Sequence, residues 1–70
     1  MNILIFKTNI RYKKDLRQVY PVLNSLSAIA AWHIDREDID KVLRVEAKGD
    51  HTQTIISQVQ RAGFRCEELV

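Results

Sequence analysis

Three side chains in this sequence could bind a soft metal ion: His33, His51 and Cys66. Zinc sites set their ligands in short paired spacings, such as two cysteines two to four apart, and these three residues follow no such pattern. A lone cysteine also excludes an internal disulfide, and nothing suggests the cysteine framework of a small secreted domain. Nucleophilic catalysis needs an activated nucleophile beside a base, and no such pairing is visible. A phosphate-cradling loop needs closely spaced glycines, whereas Gly49 and Gly63 are the only two and lie far apart. What remains is charge. Arg11, Lys13, Lys14 and Arg17 form a basic cluster opposed only by Asp15, and Asp35, Glu37, Asp38 and Asp40 form an acidic one opposed by Arg36 and Lys41. These two clusters are chemistry for docking, not for catalysis. No catalytic residue, cofactor or enzymatic activity is expected.

The elements that position these residues follow from hydrophobic period. Seventy residues make one domain, spanning 1–70, with a small core and marginal stability. A net charge of +2 does not by itself imply nucleic acid or an anionic membrane. No stretch approaches the roughly 20 apolar residues of a membrane span, and the short apolar start lacks the basic flank of a signal peptide, so a cytoplasmic protein is expected. Residues 2–8 read as a strand. Leu16, Val19, Leu23 and Leu26 then mark one face of a helix starting near Tyr12, with Thr8 and Asn9 as loop or cap residues and Pro21 predicting a kink or break. Residues 29–34 and a run within 40–48 alternate as strands joined by a polar turn. Asp50 or Thr52 can cap a second helix carrying Ile55, Ile56, Val59 and Ala62, and Gly63 stands where a left-handed cap belongs. Residues 64–70 close the chain as a last strand. The order βαββαβ, with two one-faced helices, predicts an α+β, ferredoxin-like sandwich: a four-stranded antiparallel sheet with both helices on one face.

This order and length resemble the heavy-metal-associated domains of copper carriers. Leu23-Asn24-Ser25-Leu26-Ser27-Ala28-Ile29 is similar to that family's passage from first helix to second strand, with Ala28 in place of a glycine. Val59-Gln60-Arg61-Ala62-Gly63-Phe64 is similar to its Ile-x-x-Ala-Gly-Tyr/Phe signature. The family's Met-x-Cys-x-x-Cys motif would fall on Ile10-Arg11-Tyr12-Lys13-Lys14-Asp15. Tyr12 and Asp15 therefore stand where the resemblance implies two thiolate ligands. Copper(I) selects soft thiolates, which a neutral phenol and a single hard carboxylate do not replace. Calcium needs about six to eight oxygens, and the neighbouring Arg11, Lys13 and Lys14 repel any cation. No metal site and no cofactor are expected.

The leading expectation is a non-catalytic relative of these domains that has lost copper binding and acts through a protein partner or as a homodimer. In this topology the first loop, the acidic hairpin and the Gly63-Phe64 turn share one end of the sheet. The expected contact residues are accordingly Arg11, Lys13, Lys14, Asp35, Glu37, Asp38 and Phe64. Leu4 and Phe6 join them, on the premise that Ile3 and Ile5 face the helices and leave Leu4 and Phe6, beside Val42, on the open face. One alternative is residual copper or zinc binding, through His33 or Cys66 between chains. A second is RNA binding, since Ile5-Phe6-Lys7-Thr8-Asn9-Ile10 resembles the first-strand motif of RNA-recognition domains, which stacks a base on its aromatic. The third strand offers no second aromatic, so nucleic acid is not the expected partner, and neither is a membrane.

Overall fold

The computed structural model describes residues 1–69. The elements run β1 (Asn2–Thr8), α1 (Lys13–Asn24), β2 (Ile29–Asp35), β3 (Val42–Ala47), α2 (Thr52–Arg61) and β4 (Cys66–Glu68). The strands form one antiparallel sheet in the order β2-β3-β1-β4. Both helices lie on one face of it, so the ferredoxin-like α+β sandwich is the observed fold. The core fills the space between helices and sheet. Phe6, Leu43, Val45 and Cys66 from the strands meet Val19, Leu23, Ile55 and Val59 from the helices, all essentially without solvent contact.

Each helix buries the middle of its predicted stripe, Val19 and Leu23 on α1 and Ile55 and Val59 on α2, while Leu16 and Ile56 are half-buried and Ala62 falls just past the end of α2. Pro21 does not interrupt α1, which is helical without a break from Lys13 to Asn24. It lies in the last turn, where its missing N–H removes one bond while its carbonyl still accepts the Ser25 N–H at 3.1 Å. Leu26 falls beyond the helix end but still packs against the core. Ahead of α2, Asp50 accepts both the backbone N–H and the hydroxyl of Thr52, at 3.1 and 2.6 Å. Gly63 has φ +100, a left-handed conformation that costs a glycine little. The final strand is shorter than the predicted 64–70. The Phe64 N–H turns back to the Val59 carbonyl at the end of α2, so pairing with β1 begins only at Thr8 opposite Cys66. Val70, the predicted end of this strand, is outside the described residues.

The expected facing of β1 is reversed. Phe6 is fully buried and Leu4 packs against the core, whereas Ile3 is 45% exposed. Strand parity explains this. Antiparallel partners share a face, and Leu4 and Phe6 stand opposite the buried Val45 and Leu43. Ile3 and Ile5 stand opposite Glu46 and Arg44 on the open face. An uninterrupted apolar run carries no alternation, so those four residues do not reveal their own parity. Lys7 does. It lies two residues beyond Ile5, on the same face, and its ammonium belongs in water. Leu4 and Phe6 are thus core residues, and Phe6 offers no ring face on which a base could stack. Val42 does lie on the open face, since its neighbour Leu43 is buried, but there it stands opposite Asp35 and beside Arg44, with Ile3 and Ile5, not Leu4 and Phe6, on the same face.

Candidate functional site

The first loop, the β2–β3 turn and the turn after α2 meet at one end of the sheet, as the topology predicts, and hydrogen bonds tie them together. The Thr8 N–H donates to the Asp40 carbonyl at 3.0 Å, and the Thr8 hydroxyl donates to the Lys41 carbonyl. Lys41 has φ 47, in the left-handed region that a non-glycine residue seldom adopts, and this conformation accompanies the contact between its carbonyl and β1. The Thr8 hydroxyl oxygen also accepts the Ile10 N–H at 3.2 Å, and Asn9 accepts the Arg65 N–H at 2.8 Å. Thr8 and Asn9 therefore cross-link loops, and neither caps α1.

The cap of α1 is Asp15. Tyr12 is the residue at the helix boundary, and the Asp15 Oδ2 reaches back to accept its N–H at 3.0 Å and that of Arg11 at 3.1 Å. This is the N3 half of a capping box. It holds the Asp15 carboxyl below the usual carboxylate range, chiefly through the bond from Tyr12, then that from Arg11, with Lys14 and Arg11 adding favourable charge. Ile10 anchors the loop by full burial. Tyr12 is 56% exposed, and the Lys14 Nζ stands 5.6 Å from its ring centroid, so a cation already covers this face. Of the two positions where thiols would be needed, one presents a phenol under an ammonium and the other a carboxylate bound to its own loop.

The other soft ligands stay apart. His33 is exposed on the open face opposite Arg44. His51 precedes α2 at the far end of the sheet. Cys66 faces the core, and burial, with some repulsion from Glu67, pushes its thiol up to about 12, so it carries no thiolate at neutral pH. Among the described residues no three His, Cys, Asp or Glu side chains converge as a metal site would require.

The hairpin behaves as the loop does. Asp35 accepts the N–H groups of Glu37 and Asp38, and Asp38 accepts that of Asp40. Phe64 is half-buried against the core. The single ion pair among the described residues, Lys7 with Asp40 at 3.7 Å, leaves out Arg11, Lys13, Lys14, Arg17 and Arg36. The basic and acidic clusters share an end of the sheet without neutralising each other by direct contact. Sequence reasoning missed one surface: a groove between α1 and β2, lined in part by Leu16, Tyr20, Trp32 and Arg36. Tyr20 and Trp32 meet edge-to-face at 5.3 Å, and the Trp32 indole N–H donates to Asn24 at 3.0 Å. Tyr20, one residue beyond Val19 on α1, was the available signal, an aromatic at the margin of the apolar stripe.

No protein-family model matches this sequence. No curated protein matches it either. Solved structures do match, over nearly the whole chain. The yeast copper transporter domain Ccc2a superposes with a TM-score of 0.83 at 15% identity, covering 100% of this chain and 97% of its own. The N-terminal domain of ZntA in its apo form gives 0.83 at 17% identity, covering 97% and 92%. The N-terminal domain of PacS from Synechocystis PCC6803 gives 0.81 at 14% identity, covering 100% of both chains. The fold is that of the heavy-metal-associated domains, and the resemblance read from the sequence holds at the level of architecture. Among the described residues no helix is long and apolar enough to cross a membrane.

Proposed function

We propose that this chain is a metal-free, non-catalytic module on the heavy-metal-associated scaffold, working in the cytoplasm through protein contacts instead of ion transfer. The observation that carries this reading is the state of Asp15. Its carboxylate is engaged by the Arg11 and Tyr12 amides, and the single thiol, Cys66, is buried in the core. Binding a metal there means bringing a cation against the carboxylate that caps α1, among Arg11, Lys13 and Lys14, with no soft ligand in return. The cationic side chains, by contrast, have no ionic partner among the described residues. Unpaired rim charges of this kind steer and orient partners.

The alternative, a residual copper or zinc accessory, draws on the copper transporter domain and the Zn(II)-bound ZntA domain that share this fold. Titration of the reduced protein with Cu(I) and Zn(II), followed by amide NMR, separates the two. The proposed reading expects the amides of residues 9–15 to stay in place at one equivalent of either metal. Saturable shifts in that loop overturn it.

A further inference from the structure

The flank between α1 and β2 is only partly closed, Trp32 being the side chain that bridges it to Tyr20 and Asn24. A groove of about 520 Å³ is bounded by Leu16, Tyr20 and Asn24 on the helix and by the consecutive residues 29–34 of the strand, with Arg36 at one end. Beyond Leu16, Tyr20 and Arg36 it continues into a hollow of about 430 Å³ that adds Lys13 and Arg17. Side chains on a strand alternate between faces, so six consecutive residues line one groove only when the backbone edge is part of its wall. That edge is free, because β2 is the outermost strand.

Edge strands are ordinarily guarded by charge, proline, bulges or shortness. The opposite edge, β4, follows that rule, being three residues long with Glu67 and Glu68. β2 does so much less. It is seven residues long, has no proline, and carries no Asp, Glu, Lys or Arg from Ile29 to Ile34. Its one register irregularity lies between Ile29 and Ala31, and pairing is regular from Ala31 to Asp35. At its Asp35 end three cations, Lys13, Arg17 and Arg36, ring the groove, and no carboxylate among the described residues comes within 4.0 Å of any of them. The nearby Asp35 and Asp38 carboxylates accept amides of their own turn.

We propose that β2 receives an extended segment of a partner protein as a fifth strand, with acidic residues of that segment against Lys13, Arg17 and Arg36. This deepens the protein-contact reading above and rests on it. Backbone pairing with β2 would supply the register-independent part of the affinity. The Tyr20–Trp32 pair and Leu16 would receive apolar side chains under α1, and the cationic rim would select acidic ones. A second copy fits the charge pattern poorly. Two β2 edges paired antiparallel about Trp32 would set each Arg36 beside residues 27–29 of the other chain, Ser27-Ala28-Ile29, which hold no carboxylate.

The test uses the full chain, labelled for amide NMR, and the probe peptide acetyl-Glu-Asp-Glu-Val-Thr-Val-Thr-Val-amide together with its reversed sequence. At least one order is expected to shift the amides of residues 29–36, to bind more weakly as salt rises, and to lose about tenfold or more in affinity in the Arg17→Glu/Arg36→Glu variant. A Lys48→Glu/Arg61→Glu control changes net charge equally on other surfaces and is expected to bind as the parent does. No shift at millimolar peptide, equal binding by both variants, or β2 shifts that follow protein concentration without peptide would each overturn the proposal, the last by giving the edge to a second copy. The same samples, titrated with Zn(II), separate the two readings. Absent peptide binding with an unmoved first loop removes the docking edge alone, whereas loop shifts on adding metal remove the metal-free reading.

Discussion

The loop end of the sheet and the α1–β2 flank carry similar residues in opposite states. At the loop end, Asp15, Asp35 and Asp38 each accept backbone amides of their own turn, and Asn9 and Thr8 bond across to neighbouring loops. On the flank, Lys13, Arg17 and Arg36 surround an apolar groove without an ionic partner among the described residues, beside the outermost strand of the sheet. Chemical type alone does not make a site. A carboxylate already holding two N–H groups is structural, and a cation with nothing opposite it is available. The end where the scaffold's resemblance places metal chemistry is therefore the more closed of the two regions.

The comparison fails first if β1 has the wrong parity, because the loop then leaves the sheet on the other face. Phe6→Ala should cost about 3–5 kcal/mol, the usual cost of truncating a buried aromatic, while Ile3→Ala on the open face should cost about 1 kcal/mol or less. Urea unfolding of the two variants checks this, and equal losses would reverse the facing. The loop is tested next. Asp15→Ala should lower the urea midpoint by removing the α1 cap, with Asp15→Asn falling between it and the parent. The sign with pH follows from the lowered folded-state pKa of Asp15. Its contribution is present above the unfolded-state value and is lost as pH falls through the folded-state value. The gap between parent and Asp15→Ala should accordingly narrow under acid, and a gap that widens would contradict the bonds seen here. The smallest effect should come from the exposed Lys7–Asp40 pair, where a double-mutant cycle should give roughly 0–1 kcal/mol, falling with salt. A coupling of several kcal/mol would mean that this pair closes the loop end, in place of the backbone bonds.

Much of the architecture was legible because helices and strands sort apolar residues by different periods. Leu16, Val19 and Leu23 could only be a helix face, and Leu43, Val45 and Ala47 only a strand face. Two features were hidden for physical reasons. The run Ile3-Leu4-Ile5-Phe6 has no period of its own, so its facing had to come from Lys7 outside it. The α1–β2 groove is a tertiary product, in which residues of two elements and a bare strand edge converge, and neither element signals it alone. The departure at Tyr12 and Asp15 was readable from residue type, but the role of Asp15 as the cap of α1 was not, since its partners are backbone amides. Pro21 breaks no helix because only its own N–H is missing, while its carbonyl and the rest of the last turn keep their bonds.

The most direct measurement of the central claim restores what the loop lacks. Under reducing conditions, Cu(I) is titrated into the parent chain and into Tyr12→Cys/Asp15→Cys in the presence of a competing chelator. The account predicts that the double variant takes up one Cu(I) while the parent takes up none with a dissociation constant below about 1 μM, equivalent to roughly 8 kcal/mol of binding. Parent protein that competes for Cu(I) as well as the two-cysteine variant would contradict it.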